Sequence, residues 1–308
     1  MGLLNINIAI VSPKALLLFA LLFSTPTIFG GIPNDSTTSK DIFVTFMDYV
    51  YDFSFYKADS VLRFVERNKD NSATFSMMKY NLAWWSILSG SNTDDFIEEC
   101  DLHTDKTIDF INRLESPDIN YQIDLINTYI LKVRLENYIN NKVNTIPILF
   151  KTLNRIKKLM NTVDLSDRKL LVIGLYYYFV DYVENKYILA GAFLKKYPKG
   201  NKQMGLNYLK KCLSSMNHLV AVEANYFLYK IYFYIEGNYQ LAFDNISYLH
   251  DLYPNNLVFS YELYKTMMKN NNAGSELLKQ EVLNQIYDSK LLKKSQKTHF
   301  IDLFNENI

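Results

Sequence analysis

The chain is short of the residues that break helices and staple small folds. In 308 residues there are 10 Gly, 7 Pro and 2 Cys. Few turn formers exclude a many-stranded β-sandwich, and two cysteines cannot build a disulfide framework. Neither sign of charge prevails, with 33 Lys+Arg against 32 Asp+Glu. That balance argues against general nucleic-acid binding, which needs a basic surface. The Walker phosphate loop, the dinucleotide glycine fingerprint and the Gly-x-Ser-x-Gly nucleophile turn are all missing. What is abundant is apolar and aromatic: 49% hydrophobic residues, with 24 Tyr and 20 Phe. Such a chain can bury a large core and is not disordered.

The first residues read as an export signal. Lys14 is the only charge before Asp35, and the apolar run Ala15–Phe23 follows it. Ser24, Thr25, Pro26 and the small pair Gly30-Gly31 come next. A positive charge, a short apolar stretch and small residues describe a signal peptide over 1–31. The run is shorter than the roughly 20 residues that span a bilayer. An uncleaved anchor is the alternative, and in that case this segment alone would touch the membrane. Polar residues 32–40 read as a linker, and 41–308 as the folded domain.

Beyond residue 40 the periodicity is helical. Phe43, Phe46, Met47 and Val50 recur at i, i+3, i+4 and i+7. Polar breaks divide the chain into about ten helices by this reading. Asp118 or Asn120, Ser166 and Ser275 are candidate N-caps. Pro147 suits the first turn of a helix.

An internal repeat is present. Tyr177, Tyr182, Glu184, Tyr187, Leu189 and Ala190 align with Tyr229, Tyr234, Glu236, Tyr239, Leu241 and Ala242 at a constant offset of 52 residues. Both copies run on to Tyr-Pro, at Tyr197-Pro198 and Tyr253-Pro254. A fainter copy is Asp52-x2-Phe55-x2-Ala58. The pattern is a helical hairpin: an aromatic helix, an acidic turn, then a second helix whose small Ala permits close approach. Such a hairpin buries its faces only by stacking on neighbours.

Glu223–Asn256 resembles a tetratricopeptide repeat. Tyr226, Tyr229, Phe233, Gly237, Tyr239, Ala242, Ile246, Leu249 and Pro254 fall near that family's large, small and helix-ending positions. Lys230 departs from it, standing where the family has a small residue. The resemblance implies an all-α, antiparallel helix-pair solenoid. It is similar to exported repeat proteins of Gram-negative bacteria, which act as envelope scaffolds. Helix A of each repeat then lines a concave groove, here Leu175, Phe179 and Tyr182, then Phe227, Ile231 and Tyr234, with Phe43, Met47 and Val50 in the faint copy. This lining is apolar. It either grips a protein or peptide partner or is covered by the helices of 275–305.

The remaining polar residues carry little chemistry. Cys100 and His103 are a single Cys-x2-His pair, short of the ligands zinc needs, and read as a half-buried Cys beside a surface His. Cys212 reads as core; a Cys100–Cys212 disulfide stays open. Glu184 and Glu236 read as turn-capping or inter-repeat groups, not a catalytic pair. Glu223 and Lys230 lie seven apart on one face of an apolar helix and read as a structural ion pair. Of Trp84 and Trp85, one is expected in the core and the other at a helix interface or lining a groove. The lysine runs read as solvated faces. No cofactor and no metal are expected. The function implied is a non-catalytic, exported scaffold in the bacterial periplasm or envelope. The alternatives are a solute- or lipid-binding component with an aromatic groove, or a helical-toroid hydrolase.

Overall fold

The computed structural model describes residues 37–68, 72–91, 94–187, 191 and 193–306. The segment read as a signal peptide lies outside them. The first helix, α1 (Thr37–Tyr51), begins inside the stretch read as a linker, so 37–40 are helical. Among the described residues every regular element is helical.

The order continues with α2 (Phe55–Arg67), α3 (Ala73–Leu88), α4 (Asp94–Arg113), α5 (Ile119–Tyr138) and α6 (Lys142–Met160). Next come α7 (Asp167–Lys186), α8 (Lys202–Cys212) and α9 (His218–Lys230), which runs on as a π-helical segment, Ile231–Glu236. The chain closes with α10 (Tyr239–Leu252), α11 (Leu257–Lys269), α12 (Ser275–Asp288) and α13 (Lys294–Asn305). The thirteen α-helices among the described residues exceed the expected ten or so because three breaks carry little Gly or Pro signal. They fall at 52–54, 213–217 and 289–293. At the first, Phe53 takes a left-handed φ of 55°, held among the rings of Phe55, Trp85 and Phe300.

Local chemistry sets many boundaries. Ser72, Asp118, Ser166, Asn201, Asn238 and Asn256 cap their helices by accepting from backbone N–H groups. Ser275 is the first residue of α12, and Gly274 holds the cap position. Pro147 sits inside α6, past the first turn, where it costs that helix one backbone hydrogen bond.

Each helix packs on the next, and α1–α3, α5–α7, α7–α9 and α11–α13 also touch. This is the neighbour pattern of stacked helix pairs, consistent with a solenoid. In the second repeat copy the hairpin forms as the sequence implies. Gly237 turns the chain at φ 62°, and Ala242 is fully buried on α10. The first copy differs. Tyr187 ends α7 in an extended conformation, and α7 takes α8 as its closely packed partner. Leu189 and Ala190 lie outside the described residues.

The array is not open. Its beginning meets its end through Tyr51, whose carbonyl accepts from Asn256 Nδ2 at 2.7 Å. The Trp85 ring stands edge-on to Tyr51 at 5.3 Å and to Phe259 at 5.9 Å. Gln296 of α13 donates to Ser89 Oγ at 2.8 Å. One continuous core therefore runs from Phe43 to Leu263. Val282, Ile286, Phe300 and Phe304 form a second cluster with Leu257 and Tyr264, so α12 and α13 pack against α11. No described helix is long and apolar enough to cross a membrane.

Candidate functional site

The six groove positions separate into two groups. Leu175, Phe179, Phe227 and Ile231 are buried in the main core. Phe43, Met47 and Val50 of the faint copy are fully buried there too. Protein packs against all of these residues, so none of them offers a surface. Tyr182 is half-buried, its hydroxyl accepting from Lys186 Nζ. Tyr234 is 52% exposed.

Tyr234 belongs to an ordered polar and aromatic cluster. It lies on the π-helical segment, a rare backbone form that recurs at functional sites. Its hydroxyl donates to Glu262 Oε2 of α11 at 3.0 Å and accepts from Lys265 Nζ at 2.6 Å. The buried Glu262 also accepts from the Tyr229 hydroxyl and binds Lys230 at 2.8 Å and Lys265 at 2.7 Å. Lys230 stands 4.8 Å from the Tyr234 ring centre, and Lys265 stands 5.2 Å from it. The ring is thus held by two cations and two hydrogen bonds while half its surface faces solvent.

The electrostatics fix the charges. Burial pushes the Glu262 carboxyl up, but the two lysines outweigh it and hold its pKa down at about 2. Burial opposes the charge of Lys230 and Lys265, and Glu262 keeps both above the ordinary lysine value. No member of this triad changes charge near neutral pH. Sequence reasoning missed Glu262 because it is 32 residues from Lys230. The one signal was Lys230 itself, a charge that shares a largely apolar helix with Glu223.

The other candidates find different partners from those expected. Glu223 does not pair with Lys230. It accepts from the Tyr51 hydroxyl at 3.2 Å and acts electrostatically on the buried Arg134 of α5. Glu236 makes an inter-repeat bond, accepting from the Tyr178 hydroxyl of α7 and from Lys202. Glu184, its repeat equivalent, is half-buried and does not join it. Cys100 is fully buried and His103 only 7% exposed, so His103 is not the surface group expected. Among the described residues no group of three or more metal-binding side chains converges. Cys100 and Cys212 are free and buried. Both tryptophans are buried, with Trp84 against Tyr138 and Trp85 at the closure of the array.

No protein-family model, curated protein or solved structure matches the chain.

Proposed function

We propose that the chain is an exported, non-catalytic helical-repeat scaffold. It binds a protein partner in the cell envelope through the Tyr234 surface, not through its concave side. The observation that carries this reading is the held but half-exposed Tyr234 ring. A large aromatic side chain fixed before binding loses little freedom on docking, and such residues dominate binding energy at interfaces. The tetratricopeptide resemblance supports it, since Tyr234 lies on helix A of the best-fitting copy. The signal-like sequence before residue 32 supports export. The charge states support a non-catalytic role: Glu262 stays ionised, both lysines stay protonated, and burial raises the pKa of both thiols.

Native mass spectrometry of the full-length chain, gently extracted from its own envelope, tests this. A partner polypeptide should stay bound to the wild type and be lost from Tyr234→Ala. A partner retained equally by both would place the interface elsewhere. The same spectrum gives the mass of the chain and so reports cleavage of the first 31 residues.

A further inference from the structure

Two loops lie side by side where α6 and α8 end. The first, 161–166, joins α6 to α7, and the second, 213–217, joins α8 to α9. The Ser215 hydroxyl donates to Asp167 Oδ2 at 2.6 Å, and Cys212 Sγ donates to the Asp167 carbonyl at 3.5 Å. Lys169 Nζ pins the first loop, donating to the Thr162 carbonyl at 2.6 Å and to Thr162 Oγ1 at 3.0 Å. Tyr234 lies at the opposite end of the α9 rod, roughly 25 Å away at the rise of a helix. This surface is therefore separate from the partner-binding one.

Both loops hold aliphatic side chains out in water. Val163 is 95% exposed, Leu165 77% and Met216 100%, and Leu213 is exposed beside them. None of the four belongs to either buried cluster. Apolar residues scattered singly on a surface are ordinary. Four on two bonded loops form a patch, and an apolar patch with a polar rim marks a protein or membrane contact.

The rim is basic. Lys157 and Lys158 occupy the last turn of α6, and Lys210 and Lys211 the last turn of α8. All four are exposed, and none forms an ion pair among the described residues. Lys157 donates to the Lys196 carbonyl at 2.9 Å. Each lysine lies about one turn, roughly 5 Å, behind its loop. The carboxylates beside them are engaged, Asp164 by the Ser166 hydroxyl at 2.6 Å and Asp167 by Ser215. Four cations against two carboxylates leave these loops and the turns behind them positive. The composition fits lipid better than protein. Protein interfaces concentrate aromatic rings and are poor in lysine, whereas this patch has no ring and four lysines. Aliphatic tips can pass the headgroups while long lysine stems keep their charges among anionic lipids.

We infer that these two loops seat the folded chain on an anionic lipid surface. Val163, Leu165, Leu213 and Met216 enter the boundary of the acyl chains, and the lysines behind them meet the lipid phosphates. The Tyr234 end of α9 then points away from the bilayer. This contact belongs to the folded domain and does not involve the first 31 residues.

A dye that brightens in apolar surroundings, attached to Ser214→Cys of the full-length chain, tests this. The native thiols are buried and stay unlabelled. A second protein carries the dye on Gln240→Cys, an exposed position at the Tyr234 end. Vesicles of equal parts phosphatidylglycerol and phosphatidylcholine should brighten the dye at position 214 and leave it unchanged at 240. The lipid concentration at half-response is read at the loop itself, so a membrane contact by the N-terminal segment does not supply it. It should be at least about tenfold lower than with phosphatidylcholine alone, as expected where several lysines face an anionic surface. Leu165→Ser with Met216→Ser should raise it about tenfold or more, and Lys158→Gln, Lys210→Gln and Lys211→Gln together should raise it by a similar factor. All these side chains are exposed, so the variants should fold, and circular dichroism checks this. The inference is overturned if the dye at 214 ignores anionic vesicles, if the dye at 240 responds equally, if neutral vesicles act as well, or if either set of substitutions changes nothing. Brightening at higher protein concentration without lipid would assign the patch to a second copy of the chain and would also overturn it.

Discussion

The Tyr51 hydroxyl donates to Glu223 Oε1 at 3.2 Å across 172 residues of chain. This bond lies where the array closes on itself. Arg134, 1% exposed, feels the same carboxylate. Burial pulls its guanidinium pKa down to about 9, and Glu223 works in the opposite direction. Three helices from distant parts of the chain thus meet at one buried carboxylate.

Removing that carboxylate should be expensive. Glu223→Ala leaves the Arg134 charge buried without its counter-charge, a loss of about 3–5 kcal/mol in comparable cases. Glu223→Gln keeps an acceptor for Tyr51 and should cost less. Replacing both partners, as Glu223→Leu with Arg134→Met, should recover much of the loss, because apolar groups need no counter-charge. Urea denaturation of the four proteins checks the order. If the double variant is no more stable than Glu223→Ala, the coupling between these side chains is not what closes the array.

The four histidines should titrate in two directions. His218 bonds Asp48 at 3.1 Å and Tyr253 at 2.9 Å, and the Asp48 bond raises its pKa above 6.5. Its contribution to stability is therefore complete below pH 6.5 and fades as pH rises through the folded value. Burial lowers His103, His250 and His299. Their contribution is complete above pH 6.5 and is lost as the solution is acidified, for His103 down to about pH 4. Proton NMR of the imidazoles should give one curve above the ordinary value and three below it. Asp48→Asn should bring the His218 curve down and leave the other three in place.

The thiols should be silent in the folded protein. Burial pushes Cys212 up to about 12 and also raises Cys100, and the thiolate is the reactive form. Iodoacetamide at neutral pH should label neither in native buffer and both in denaturant. Fast labelling of Cys100 without denaturant would mean that α4 opens locally.

What the sequence disclosed and what it hid divide by distance along the chain. The Asp118 and Ser166 caps, the Gly237 turn and the buried Ala242 each follow from residues within one hairpin. That Leu175, Phe179, Phe227 and Ile231 lie on the inner side is what the tetratricopeptide resemblance implies, and all four are buried. What lies opposite them has no local signal, because closure depends on Tyr51, Trp85 and Asn256, which carry no shared motif. The partner of Lys230 was misjudged for the same reason. Glu223 shares its helix face, but Glu262 arrives from the next hairpin. The break at Phe53 was hidden because an aromatic residue holds a left-handed turn that usually falls to Gly.

Two glycines should fail for opposite reasons. Gly205 on α8 lies against α7, where an added Cβ would stand 2.6 Å from Tyr178 N and 2.7 Å from Gly174 O. Both are backbone atoms in a packed interface, so the helices must separate. Gly205→Ala should cost about 3 kcal/mol, the upper part of the range for overpacking. Gly237 has open space around it, and nothing would meet its Cβ within 4 Å. Its constraint is conformational, since φ is 62°. Gly237→Ala should cost about 1 kcal/mol, and Gly237→Asn less, because Asn tolerates the left-handed region. Thermal unfolding of the three variants separates the mechanisms. A mild Gly205→Ala would show that α7 and α8 can part cheaply, and an Asn at 237 as costly as Ala would place the constraint outside the backbone angle.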